Sequence, residues 1–284
     1  MNYEDVAYRV ADRICMITLR RPEARNGYTV RMSDELNDAF ARAETDEDVR
    51  VIVLTGEGKD FCVGADLSGG SIDVVDEPGA GEWQEPAGRC SRRIFESSKP
   101  VIAAIRGAAV GAGSTIILPA DYRLASTDSR FGFVFSRRGI YPEGASTWFL
   151  PRLVGMGKAL DWMVSGRVFD AEEALAAGMV HSLHEPDEVL AKAYELAAEL
   201  IAATAPVSVA VIRQMLYRMS PLDSPLPVHK LDSRLIAECA QAPDAIEGVM
   251  SFLQRRPPEF TQTVKKDVPE WLPWLNKSGP EPKT

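Results

Sequence analysis

Two segments of this chain set a short apolar strand directly before a turn of residues with almost no side chain. The first is Phe61-Cys62-Val63-Gly64-Ala65-Asp66. The second runs from Lys99-Pro100-Val101-Ile102-Ala103-Ala104-Ile105 through Arg106-Gly107-Ala108-Ala109-Val110-Gly111-Ala112-Gly113. Such turns leave backbone N–H groups uncovered and free to point at a ligand oxygen. Two of them brought together make an oxyanion hole, whose donors act where charge develops in a transition state. A plainer role for Gly107, Gly111 and Gly113 is to let a helix pack close against a strand.

A chain of 284 residues with 45% hydrophobic and 26% charged residues has the makeup of an ordinary globular protein with a sizeable core. Its 32 basic and 41 acidic residues give a net charge of −9, which argues against nucleic acid or an anionic membrane as the main partner. The acidic start Met1-Asn2-Tyr3-Glu4-Asp5 has no apolar signal region, and the apolar run from Ala108 to Ala120 is too short and Gly-rich to span a bilayer. Cys15, Cys62, Cys90 and Cys239 are scattered and read as reduced thiols, so a cytoplasmic location is expected. His181, His184 and His229 lack metal-ligand spacing, and no metal is expected. Gly155-Met156-Gly157-Lys158-Ala159 lacks the residues of a phosphate loop.

The order of elements predicts an α/β core. Residues 6–20 read as a strand stopped by Pro22. From Thr29, Met32, Leu36, Phe40 and Ala43 share a helical face, and Val49 to Thr55 is a buried strand closed by Gly56-Glu57-Gly58. The stretch from Ser68-Gly69-Gly70-Ser71 to Glu85-Pro86-Ala87-Gly88 reads either as a mobile lid or as a surface insertion without function. After Leu150-Pro151 the chain turns mostly helical. Leu190, Ala193, Leu196, Ala197, Leu200 and Ile201 form one apolar helical set, Pro206 opens another helix, and Asp244-x-x-Glu247 has the form of a capping box. The tail from Pro257, with Trp271 and Trp274, is expected to pack as an extended arm that frays near Ser278.

The two Gly-rich turns, in this order and with the flanks Arg21-Pro22-Glu23-Ala24-Arg25-Asn26 and Pro119-Ala120-Asp121-Tyr122-Arg123, resemble the crotonase (enoyl-CoA hydratase/isomerase) superfamily. The likeness continues through Phe131-Gly132, Gly139-Ile140-Tyr141-Pro142-Glu143-Gly144-Ala145-Ser146, Leu150-Pro151-Arg152-Leu153-Val154-Gly155, residues 165–174 and residues 247–256. It implies a spiral of ββα-type turns over residues 1–205, followed by a helical trimerisation module over 206–284. It also implies that the amides of Ala65 and Ala112 are the oxyanion donors, with Ala112 opening a helix Ala112–Leu118. The substrate would be an acyl-CoA, with no cofactor beyond the coenzyme A that the substrate carries.

The departures from the family pattern are as informative. Hydratases of this family use two glutamates, and the matching positions here are Thr115 and Phe135. Glu143 instead stands where the Δ3,Δ2-enoyl-CoA isomerases of the family keep their single carboxylate. One carboxylate suffices to remove a proton from C2 of a 3-enoyl thioester and return it at C4. Phe131, Phe133, Phe135 and Trp148 are expected to desolvate it. As an alternative, Glu143 satisfies the start of the next helix. The resemblance further implies CoA contacts at Ala24, Arg25, Asp66 and Leu67, and at Phe252 and Arg255 from a neighbouring subunit of a homotrimer or dimer of trimers. The expected activity is isomerisation in fatty-acid or related acyl-CoA metabolism. Hydration, thioester hydrolysis and a CoA-binding protein without activity are the alternatives.

Overall fold

The computed structural model describes residues 3–70 and 83–275, and the middle of the 68–88 stretch, residues 71–82, lies outside the described residues, as do Asp73, Asp76 and Ser278. Two compact units are present, Met1–Ala202 and Ala203–Thr284.

The first unit begins with a hairpin. β1 (Val6–Ala11) and β2 (Ile14–Leu19) pair antiparallel, so residues 6–20 form two strands rather than the single one expected. Asp12 and Arg13 make the turn with φ of 50° and 65°. That is the left-handed pair a tight hairpin needs, reached here without the usual Asn-Gly. α1 (Val30–Thr45) starts at Thr29, whose side chain accepts from Met32 N at 3.0 Å, and buries Met32, Leu36, Phe40 and Ala43 as their spacing predicts. β3 (Val51–Gly56) is buried from Val51 to Thr55. A strand covered on both faces takes such a continuous apolar run rather than an alternating one.

α2 (Pro86–Glu96) follows the undescribed segment. Residues 86–88, expected in the loop, are its first turn: Pro86 tolerates the position without an N–H, and Glu85 caps the helix by accepting from Gly88 N at 2.6 Å. Then come β4 (Val101–Ile105), β5 (Ala108–Val110), α3 (Ala112–Thr115), β6 (Tyr122–Ser126), β7 (Arg130–Gly132), α4 (Ser146–Ser165), β8 (Val168–Asp170), α5 (Ala171–Ala176), β9 (Ser182–His184) and α6 (Val189–Ala203). The main sheet has the order β1-β2-β3-β4-β6-β9, parallel from β2 onward, and the smaller sheet has the order β5-β7-β8.

The two sheets are linked by a spiral of chain turns. β4 enters the main sheet and β5 the smaller one; β6 and β7 repeat the step, and β5 pairs parallel with β7. Single bridges extend the same ladder to earlier turns, Cys62 to Ala109 and Tyr28 to Ala65. The expected crotonase-like α/β core is thus present. On one face of the main sheet, Val53, Ile102, Ala104 and Leu124 pack with Val189, Ala193 and Ala197 of α6. Leu190, expected in that apolar set, is 38% exposed, because the buried row runs 189–193–197 and 190 points past its edge.

The second unit consists of α7 (Pro206–Met219), α8 (Leu226–Cys239), α9 (Pro243–Gln254) and α10 (Val264–Asp267). The capping box at Asp244 and Glu247 does not form. Asp244 accepts from Thr261 N at 2.7 Å and from Gln262 N at 3.2 Å, and Glu247 accepts from Glu259 N at 2.7 Å and pairs with Arg256. Amides of the returning chain compete for both carboxylates and win them. That tail is not simply an extended arm: it makes α10, buries Leu272, and lays Trp271 under Arg234 at 3.6 Å. Among the described residues, no single helix is long and apolar enough to cross a membrane.

Backbones approach tightly in the spiral at Gly113, where a Cβ would lie 2.2 Å from the Cys62 carbonyl oxygen. Gly113→Ala is expected to cost about 1–3 kcal/mol, the scale of overpacking a tight interior. Gly157→Ala, in open space on α4, is expected to be neutral or to stabilise by up to about 1 kcal/mol. Denaturant unfolding of both variants measures the contrast.

Candidate active site

The ladder that stacks the chain turns also sets the two candidate donors. Tyr28 N donates to Gly64 O at 2.8 Å and Tyr28 O accepts from Asp66 N at 3.0 Å. The residue between, Ala65, therefore turns its N–H away from this pairing, as the middle residue of a parallel bridge must. Ala112 is the first residue of α3, where an amide has no intrahelical partner. Among the described residues, neither amide donates a hydrogen bond. α3 is a four-residue helix followed by turns, shorter than the expected Ala112–Leu118, so its macrodipole adds little and the free N–H itself is what the site offers.

Ala65 and Ala112 line one cavity of about 280 Å³ together with Glu143, Asp66, Glu85, Tyr28 and Trp83. Glu143 lies on the loop before α4. That helix has Ala145 at its N-cap, with no side-chain cap hydrogen bond. The Glu143 carboxylate takes no hydrogen bond among the described residues. Burial, and secondarily the charge of Glu85, push it from 4.5 up to about 7. The desolvating wall is not the one expected. Phe131 stacks with Phe169, and Phe133 with Trp162 and Phe169, in the core behind. Tyr28 and Trp83 stand on the cavity wall instead, and Trp148 belongs to the neighbouring cavity.

Glu85, Tyr28 and Trp83 were not singled out from the sequence. Glu85 Oε1 accepts from Gly144 N at 2.6 Å while its other oxygen caps α2, so one carboxylate ties the Glu143 loop to a helix start. Thr115 closes the loop from the other side: a Cβ on Gly144 would lie 2.2 Å from Thr115 Cγ2 and 2.9 Å from Ser91 Oγ. The position that carries a glutamate in hydratases of the family is thus beside Glu143 and filled by a buried threonine. Phe135 is buried as well.

The remaining candidates divide. Asp66 accepts from Arg21 at 2.9 Å and from Ser68 N at 3.0 Å. Its pKa falls to about 2, chiefly through the Ser68 backbone bond. Arg21 also donates to Gly27 O at 2.6 Å, and Asn26 bonds Arg21 N, Glu57 O and Asp60 O, which makes the 21–26 motif a brace for this loop. Ala24 and Asp66 flank Gly27, whose Cβ would meet them at 3.3 and 3.4 Å. Arg25 pairs with Asp60 at 2.7 Å, and Leu67 is exposed beside Asp66. Phe252 and Arg255 belong to α9 of the second unit; Phe252 is 81% exposed, and Arg255 ends the helix in the left-handed conformation. Neither is part of the cavity wall. His181, for its part, accepts from Arg123 N at 3.1 Å, and burial lowers it to about 4.

The enoyl-CoA hydratase/isomerase family model matches residues 9–263. The chain belongs to this family. An enoyl-CoA hydratase of Alternaria alternata is 35% identical over 261 residues, covering 92% of this chain and 87% of that one. The 1,2-epoxyphenylacetyl-CoA isomerase of Escherichia coli is 32% identical over 262 residues, covering 91% and 98%. The crystal structure of a probable enoyl-CoA hydratase/isomerase from Mycobacterium abscessus superposes with a TM-score of 0.83 at 31% identity, covering 90% of this chain and 98% of that one.

The raised titration of Glu143 has a consequence for stability. With a folded-state value of about 7 against an ordinary 4.5, the folded chain holds a proton that the unfolded chain releases between those limits. Stability from this group is therefore full below pH 4.5 and is lost as pH rises to about 7. Glu143→Gln is expected to be more stable than the parent above pH 7, by up to about 3 kcal/mol, and the difference should vanish below pH 4.5. Thermal unfolding of the pair across pH 4–8 reads this directly.

Proposed function

We propose that this family member is a Δ3,Δ2-enoyl-CoA isomerase that forms a thioester enolate at Ala65 and Ala112 and moves the proton with Glu143. The observation that carries the reading is the contrast among the cavity's carboxylates. Asp66 is held ionised by Ser68 and Arg21, and Glu85 is bonded by two backbone amides. Glu143 has no hydrogen-bond partner among the described residues and titrates at about 7, where it both accepts and returns a proton near neutral pH.

In this mechanism the thioester oxygen of a 3-enoyl-CoA accepts from both amides. Glu143 takes a proton from C2 and the C–H electron pair passes into a dienolate whose negative oxygen the amides hold. One such donor is worth about 3 kcal/mol in other enzymes. The protonated Glu143 then returns the proton at C4, leaving the double bond between C2 and C3. Ala24, Arg25, Asp66 and Leu67 line the approach for the coenzyme A moiety in this reading. Four free thiols, three of them buried, support a reducing, cytoplasmic setting.

Hydration of a 2-enoyl-CoA is the second reading, favoured by the enoyl-CoA hydratases among the relatives and by the second glutamate, Glu85, on the same wall. It requires Glu85 to hold a water with the lone pairs that its two amide bonds leave open. Glu143→Gln is expected to keep ester binding and to lower turnover by roughly two to four orders of magnitude. The kcat/KM of the parent should fall below about pH 7 as Glu143 is protonated. With a 3-enoyl-CoA in deuterium oxide, label should enter the product at C2 or C4. Crotonyl-CoA hydrated faster than any 3-enoyl-CoA is isomerised decides for the hydratase. Release of free CoA decides for a hydrolase, and binding without turnover for an inactive CoA-binding protein.

A homotrimer or dimer of trimers is part of the same proposal. In the second unit, Val211 is buried, whereas Leu216 and Ile236 are 65% and 67% exposed and Phe252 more so. Apolar side chains in such number favour a partner chain, with Phe252 and Arg255 completing a neighbour's CoA site. Light scattering should give a trimer or hexamer, and deletion of residues 206–284 should abolish assembly and ester binding together. A monomer with full activity at micromolar concentration removes this part.

A further inference from the structure

A second cavity, of about 520 Å³, adjoins the catalytic one: Trp83 and Glu85 belong to both walls, and Gly144, next to Glu143, lines it. Gln84, Ser91 and Arg92 also line it, and one side of its wall is aromatic. Phe95 comes from α2, and Trp148 and Phe149 from the first turn of α4. The three rings meet edge to face, with centroids 6.0 Å apart for Phe95 and Trp148, 6.0 Å for Phe95 and Phe149, and 4.8 Å for Trp148 and Phe149. Arg152 lies over Trp148 at 3.9 Å and fixes the indole plane. This aromatic corner is assembled across two helices and built into the wall next to the proton-transferring group.

We propose that this chamber receives the far end of the acyl group and makes the enzyme selective for CoA esters that end in a bulky apolar ring, aryl or alicyclic. The inference rests on the enolate-forming reading above and adds the substrate class to it. Size is the first reason. An apolar cavity of about 150 Å³ already holds benzene, and a four-carbon acyl group that ends at the reacting carbons leaves this chamber unfilled. Shape and chemistry are the second. A ring presents both faces and its edge to partners already arranged edge to face, and it removes its own apolar surface and that of the wall from water. Rigidity is the third, because a ring loses less conformational freedom on binding than a straight chain with the same number of carbons. The shared wall at Trp83 and Glu85 marks the direction: atoms beyond those served by Glu143 extend past Gly144 and Glu85 toward the chamber.

The test is calorimetric binding of saturated esters, which cannot turn over by proton transfer: butyryl-, decanoyl-, 4-phenylbutyryl- and 4-cyclohexylbutyryl-CoA. The two ring esters are expected to bind at least about tenfold more tightly than butyryl-CoA, equivalent to about 1.4 kcal/mol, and more tightly than decanoyl-CoA. Trp148→Ala should reduce the ring-to-butyryl ratio to within about threefold. Phe95→Leu, which keeps an apolar side chain of moderate size on α2, provides the same test if Trp148→Ala fails to fold. Ring esters no tighter than butyryl-CoA overturn the proposal. Decanoyl-CoA as tight as the ring esters overturns the selectivity for rings, and a ratio unchanged in the folded variants overturns the location. Each of these outcomes leaves the enolate reading standing where the 3-enoyl-CoA assay still shows turnover. Failure of every ester to bind overturns both.

Discussion

The contact on which this site depends is a backbone contact, the Gly113 Cα against the Cys62 carbonyl. It allows one chain turn of the spiral to lie directly on the next. The bridge from Cys62 to Ala109 then aligns the segment 61–66 with β5, and the bridge from Tyr28 to Ala65 aligns the turn before it. Side chains have no room in that stack. The two free amides follow from the same arrangement, because Ala65 stands at the end of one ladder and Ala112 at the start of a helix that the next ladder delivers. Ala112 is buried whereas Ala65 is exposed, so an amide without a partner among the described residues costs stability chiefly at Ala112.

Three carboxylates share the cavity and are given three different states by their surroundings. Arg21 and Ser68 N hold Asp66 far below the ordinary range. Glu85 spends its oxygens on Gly88 N and Gly144 N, joining the start of α2 to the loop before α4. Among the described residues Glu143 receives neither a cation nor an amide, and burial, with Glu85 second, raises its pKa. Surroundings alone thus push the titrations of Asp66 and Glu143 in opposite directions. Glu85 also lines both cavities, so the residue that ties the Glu143 loop to α2 stands on their shared wall.

Local patterns in the sequence were reliable wherever the deciding interaction is local. The face of α1 at Met32, Leu36, Phe40 and Ala43, the buried β3 and the helix opened by Pro206 all follow from side-chain period or proline geometry. They failed where a distant group intervenes. Asp12-Arg13 turns a hairpin without turn-forming residues because β1 and β2 hold it. Asp244 and Glu247 leave their helix to bind amides at 259–262. Phe131 and Phe133 are drawn into stacking with Trp162 and Phe169 and leave the wall of the site to other residues.

The sequence by itself determined the family and the α/β spiral, and it marked Ala65, Ala112 and Glu143 as candidates, because small residues after apolar strands and a carboxylate within a familiar loop are written in contiguous motifs. Only the tertiary structure decided that Glu85 joins Glu143 across 58 positions of sequence, that Tyr28 orients Ala65, and that Trp83 stands between two cavities. The reason is physical. A titration depends on the burial and charges around a group, and a cavity on which surfaces meet, and both are fixed by chain segments that touch only after folding.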